Sequence, residues 1–229
     1  MAYGFGSLGT SGDRINTTLQ VDSTNRSTWI WFNVVSTGAS MALWDQSNNS
    51  GRSNFVRVSV GAFIDWFAAF DGGTNGLWRT DTTVTTDTWH GIGWSYVNSS
   101  NANDPIAYYD GVKKTVGAGL TEVNTPTGNF FPADSFAGLY IGNRADFTQT
   151  VDGSIAEVAV WDGILTDAEF AELYAGYAPA LIRPESLTVY MPLVRDNIDP
   201  KRGGSPGLVG PPLVQPHCRI CYRKKTKRS

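Results

Sequence analysis

The sequence predicts an all-β fold of short strands in a sandwich or barrel, with one short helix over 167–175 and an extended C-terminal arm. Three observations carry this. Thr, Val, Ser, Asn, Gly and Trp dominate, and the Ala/Leu/Glu/Lys composition of helical proteins is absent. Apolar and β-branched runs recur at short intervals, separated by polar Gly-rich clusters at 47–54, 71–76, 98–104 and 124–129. One segment alone has clear helix punctuation, so strand–helix–strand units are excluded.

The strands come first, in chain order. Residues 27–35 (Ser-Thr-Trp-Ile-Trp-Phe-Asn-Val-Val) are aromatic and β-branched. In 55–60, Val56, Val58 and Val60 alternate with Arg57 and Ser59. In 89–96, His90, Ile92, Trp94 and Tyr96 share one face. Segment 106–109 runs into Asp110-Gly111, a two-residue hairpin signal, and 112–116 returns. Segments 139–142, 154–161 and 187–193 complete the strands. The helix is announced by Thr166 and Glu169, a capping box, with Phe170, Leu173 and Tyr174 on one stripe and Gly176 at the end.

The chain has 229 residues and a net charge of −3, which allows one large domain. Its 8 Trp, 11 Phe and 9 Tyr exclude a disordered chain. There is no apolar run of transmembrane length and no basic-then-apolar leader at the start, so the expectation is a protein made in the cytoplasm without a membrane span. Both cysteines, Cys218 and Cys221, lie in the last twelve residues, so no disulfide framework holds the body. Charge is divided: 1–216 carries −9 and 217–229 carries +6. Segment 199–216 is rich in Pro and Gly. These shifts predict a folded body over 1–198 and an arm with a basic tail over 199–229.

The residues Gly12-Asp13-Arg14-Ile15, Trp29–Phe32, Thr86–Tyr96, Tyr108–Val112, Leu139–Asn143 and Asp152–Thr166 stand in the order found in LamG-like domains. Roughly residues 5–195 resemble these laminin-G, pentraxin and concanavalin A-like jelly rolls, and Asp152–Gly176 is the most specific block. The segment C-terminal to that block, Arg183-Pro184 through Leu193, is similar to phage-borne and bacterial members. The resemblance implies a two-sheet antiparallel jelly-roll sandwich with one sheet concave. The fold serves lectins, adhesion modules, glycosidases and virion parts, so it does not name a function.

Hydrolysis of a glycoside needs two carboxylates facing one sugar. Glu157 and Asp162 on the 154–161 strand are separated by an odd number of residues and point to opposite faces, so no catalytic residue is assigned. His90, on an apolar face, reads as a core histidine. No nucleophile elbow or phosphate-binding loop occurs. The resemblance allows one structural calcium, with Asp13, Asn143, Asp146 and Asp152 where relatives carry ligands; turn geometry alone also explains such residues. Otherwise no cofactor is implied. Trp66 and Trp78 are the candidate exposed platforms for a sugar ring, against core packing for the other tryptophans. His217, Cys218 and Cys221 make at most part of a zinc site. Arg219, Arg223, Lys224, Lys225, Lys227 and Arg228 form a partner-binding tail without the aromatic pattern of sequence-specific nucleic-acid readout.

The leading expectation is therefore a non-catalytic virion structural protein, a capsid decoration or tail component. It would dock on copies of itself and on other structural proteins of the particle. The alternative is a carbohydrate-binding adhesin or lectin module that recognises a surface glycan. A glycoside hydrolase is disfavoured.

Overall fold

The computed structural model describes residues 2–5, 13–17, 25–47, 53–131, 138–193, 207–209 and 213–215. In chain order the strands are β1 (Ala2–Phe5), β2 (Arg14–Thr17), β3 (Asn25–Val34), β4 (Met41–Ser47), β5 (Ser53–Val58), β6 (Phe63–Ala68), β7 (Gly76–Thr83) and β8 (His90–Val97). Then come β9 (Ile106–Tyr109), β10 (Val112–Val116), β11 (Gly119–Asn124), β12 (Gly138–Ile141), β13 (Gly153–Asp162), helix α1 (Asp167–Tyr174), β14 (Leu187–Met191), β15 (Gly207–Val209) and β16 (Leu213–Gln215).

The first sheet runs β10-β9-β8-β3-β13, with β1 and β14 sharing the far edge of β13 and β16 beyond β1. The second runs β15-β2-β12-β4-β5-β6-β7-β11. The two meet at a corner where β10 and β11 pair in parallel over Thr115↔Gly119 and Val116↔Leu120. Their inner faces enclose one core that includes Ile30, Phe32, Ile92 and Trp94 from the first sheet and Leu43, Val56, Ile64, Trp66, Trp78 and Ile141 from the second. This is the all-β sandwich that the sequence predicts.

A second core lies on the outer face of the first sheet. Trp29, Trp31, Tyr108, Ala159 and Trp161 are covered by Leu165, Phe170 and Leu173. Local chemistry fixes the cover. Thr166 and Glu169 close the capping box, and Gly176 takes φ +89 at the helix end. Arg183 grips Glu169 with two charge-assisted bonds of 3.0 and 2.6 Å and donates to the carbonyl of Ile164 at 2.7 Å. Gly93 is required on β8 because a Cβ there would meet the Phe170 ring. The Asp110-Gly111 hairpin forms with both residues at positive φ, +50 and +76.

Strands β4, β6, β7 and β11 join the eight segments read from the sequence. Val60 departs from its predicted face: β5 ends at Val58, and Val60 is exposed in the turn. Two three-residue pieces of the 199–229 arm are strands, β15 on β2 and β16 on β1, so the arm adds to an edge of each sheet.

Candidate functional site

The outer face of the second sheet is built from register. Across neighbouring strands, Ala42↔Arg57, Arg57↔Asp65, Asp65↔Arg79 and Arg79↔Thr121 form one row. Tyr140↔Asp45, Asp45↔Phe55, Phe55↔Phe67 and Phe67↔Leu77 form the next. Side chains alternate, so Val56, Trp66 and Trp78 point inward and these rows point out.

Asp65 is wholly buried on this face because two arginines cover it. Arg57 reaches Oδ2 through Nε and Nη2 at 3.1 and 3.0 Å, and Arg79 takes Oδ1 and Oδ2 at 2.7 and 2.9 Å. The hydrogen bond to Asp65 raises the Arg79 pKa further above its ordinary value. Two guanidiniums on one carboxylate leave one positive charge in excess. Beside them Phe55 and Phe67 stack at 4.9 Å, with planes 6° apart. Phe67 and both arginines remain partly exposed.

The β12–β13 loop borders this face. Arg14 donates to the carbonyl of Ala145 at 2.6 Å and lies between the Tyr140 and Phe147 rings, at 4.5 and 3.7 Å. Asp45 accepts from the Ala145 N–H at 2.9 Å. Arg144 lies over Phe55 at 5.2 Å. Phe147 is held at φ +61, strained for a non-glycine residue, with its ring exposed.

The sequence candidates fall elsewhere. Trp66 and Trp78, expected as exposed sugar platforms, are buried between the sheets and stack on each other at 5.1 Å. The reason for the correction is that 76–83 is a strand, not a Gly-rich loop, and Trp78 gives its indole N–H to Asp104 at 2.8 Å. Of the four proposed calcium ligands, Asn143, Asp146 and Asp152 share the β12–β13 loop, and Asp13 is buried ahead of β2. They serve the loop: Asn143 accepts from the N–H of Arg144 and Gln149 and donates to Thr150, and Asp146 caps Thr148 and pairs with Arg144 at 3.6 Å. Burial raises the Asp152 pKa. Among the described residues no three His, Cys, Asp or Glu side chains converge as metal ligands. The tail residues Arg219, Arg223, Lys224, Lys225, Lys227 and Arg228, with His217, Cys218 and Cys221, lie outside the described residues.

Two titratable groups outside this face are accounted for. His90 is buried, with Nδ1 at 2.7 Å from Asp110 and Nε2 at 3.1 Å from the Thr85 carbonyl. Glu157 is the extra residue of a β-bulge in β13, at φ +51, and accepts from the Tyr190 hydroxyl at 2.6 Å. Burial pushes its pKa up to about 7. Asp162 is exposed at the other end of the strand, roughly 15 Å away along an extended chain. A glycosidase pair sits within about 5–9.5 Å.

No family model and no curated protein sequence matches this chain. Solved structures do. A protein from Bacteroides ovatus assigned as carbohydrate-binding is 18% identical over 83% of this chain, with a TM-score of 0.59; the chain spans 50% of that structure's length. Domains LG4-5 of the mouse laminin α1 chain are 12% identical over 69% of this chain and 41% of theirs, with a TM-score of 0.54. The CBM40 domain of a Ruminococcus gnavus IT-sialidase, solved with α2,3-sialyllactose, is 13% identical over 76% of this chain and 98% of that one, with a TM-score of 0.52. At these identities the likeness is one of fold. The chain thus has the LamG-like, concanavalin A-like jelly-roll fold that its Asp152–Gly176 block implies.

Proposed function

We propose that this chain is a non-catalytic carbohydrate-binding module that takes a saccharide on the outer face of its second sheet. The observation that carries the reading is the Arg57–Asp65–Arg79 row beside the Phe55–Phe67 stack. An aromatic face matches the C–H face of a sugar ring. Both arginines use Nε and Nη2 on Asp65, which leaves Nη1 of each for ligand oxygens. The surplus positive charge favours an acidic sugar over a neutral one. The shared fold with a module solved on sialyllactose supports the same reading. The virion role drawn from 219–228 rests on residues outside those described, and among the described residues nothing favours it over glycan binding.

The test is calorimetric titration with sialylated, uronate-containing and neutral oligosaccharides. Binding of at least one acidic glycan is expected, lost in Arg79→Ala and Phe67→Ala while the fold is kept. Absence of binding across the panel, or binding that both variants retain, removes the proposal.

A further inference from the structure

Arg26 opens a different question, inside the sandwich. It stands on β3 opposite Tyr96 of β8, one face with Thr28 and Trp94, and points into the apolar inter-sheet space. It is 4% exposed. Its guanidinium lies 4.9 Å from the Phe130 ring centre, and among the described residues no carboxylate pairs with it. An uncompensated buried cation is among the costliest groups in a folded protein.

The surroundings sharpen this. Arg26, Thr28, Trp44, Trp66, Trp94 and Tyr96 line a cavity with room for about one water-sized group, about 10 Å³. Four of these six carry a buried polar atom without a hydrogen-bond partner: Arg26 Nη2, Trp44 Nε1, Trp94 Nε1 and the Tyr96 hydroxyl. Three are donors only, and the fourth is a phenol that donates. Burial raises the Tyr96 pKa to about 12, so no tyrosinate balances the arginine at neutral pH. Burial lowers that of Arg26 to about 10, so it stays charged there. Asp104, the carboxylate that acts on Tyr96, already accepts from Trp78.

We infer that this cavity is a binding site for a single small anion of the halide class, chloride under ordinary conditions, held by Arg26, the Trp44 and Trp94 indole N–H groups and the Tyr96 hydroxyl. A water molecule fits the space, but it accepts only two hydrogen bonds and carries no charge, so it would leave donors unmet and the arginine uncompensated. A monoatomic anion accepts from all four at once and neutralises the cation. A carboxylate or sulfate is too large for the space. The site is separate from the glycan-binding face, on the opposite side of the second sheet.

The experiment uses the whole chain. Thermal unfolding is followed at constant ionic strength while sodium gluconate is replaced by sodium chloride, bromide or acetate. Chloride and bromide are expected to lower the unfolding equilibrium constant saturably, about 100-fold when the anion stands at 100 times its dissociation constant. Acetate gives none. Trp44→Phe and Tyr96→Phe keep the rings and remove one donor each, and should weaken the anion response about tenfold each. Arg26→Met should abolish it and unfold no more readily than wild type in gluconate. In crystals grown with bromide, an anomalous peak should lie between Arg26, Trp44 and Trp94. Equal unfolding in chloride, acetate and gluconate, no bromide peak, or an undiminished response in Trp44→Phe overturns the inference.

Discussion

On the outer face of the first sheet, Trp29, Trp31, Tyr108 and Trp161 are roofed by Leu165, Phe170 and Leu173. On the outer face of the second, Phe67, Arg57 and Arg79 remain partly exposed. Both faces are rich in aromatic residues, so composition alone does not separate them. The difference is that the first carries apolar rings that require cover, whereas the second carries a charge cluster satisfied within itself. A covered face contributes stability; an open, preorganised one is available to a ligand. The comparison therefore assigns structure to one side of the sandwich and recognition to the other.

The comparison breaks first at the roof. Trp161 is fully buried and gives its indole N–H to the Ile182 carbonyl at 2.8 Å. Trp161→Ala should cost about 3–5 kcal/mol, and Leu173→Ala about 2–5 kcal/mol, in denaturant unfolding. If both variants unfold like wild type, the roof is dispensable and the contrast fails.

Glu157 sharpens it through pH. Its folded pKa of about 7 lies above its ordinary 4.5. The folded state therefore holds a proton that the unfolded chain has lost. The associated stability is complete below about pH 4.5 and is lost as pH rises through about 7. The total is of order 3 kcal/mol. Glu157→Gln should remove this slope and leave the variant more stable than wild type at pH 8. Parallel stability curves for the two proteins would show that Glu157 does not titrate in this range.

Asp65 is the keystone of the open face. Asp65→Asn leaves two neighbouring guanidiniums without their shared carboxylate, at a cost of about 2–3 kcal/mol, measured by urea unfolding. Because the same change frees both arginines to repel each other, glycan affinity should fall with it. A variant as stable as wild type would mean that the Arg57–Asp65–Arg79 row is not a rigid unit.

Much of the roof is legible in the sequence and little of the open face is. Thr166, Glu169 and Gly176 are local signals, and a helix start needs no knowledge of the rest of the chain. The Asp110-Gly111 hairpin is equally local. Strand β4 leaves no such trace: Met41–Ser47 is buried throughout, so it does not alternate. Trp66 and Trp78 mislead because each neighbours a charged residue, Asp65 and Arg79, that faces the other way. The site itself depends on the register of β5, β6 and β7, which brings residues 57, 65 and 79 side by side. That register is set by turns such as 59–62, where Gly61 and Ala62 take φ +93 and +68. One feature is visible without register: Arg57, Asp65 and Arg79 are polar residues that punctuate apolar strands.

The smallest expected change in stability carries the most information about function. Phe67 is stacked on Phe55 but partly exposed, so Phe67→Ala removes only part of a buried contact, and a loss within about 1.5 kcal/mol is expected. The roof variants lose far more stability and should keep glycan binding at temperatures where they are folded, since no roof residue reaches the second sheet's outer face. Phe67→Ala should do the reverse, with a nearly unchanged melting curve and no measurable glycan affinity. Phe67→Tyr, which keeps the ring, should restore binding. Measuring the four proteins side by side, by thermal unfolding and by titration with the best oligosaccharide, separates the two faces. If Phe67→Ala binds as wild type does while Trp161→Ala, still folded, does not, then recognition lies beside α1, and the roles assigned to the two sides of the sandwich are exchanged.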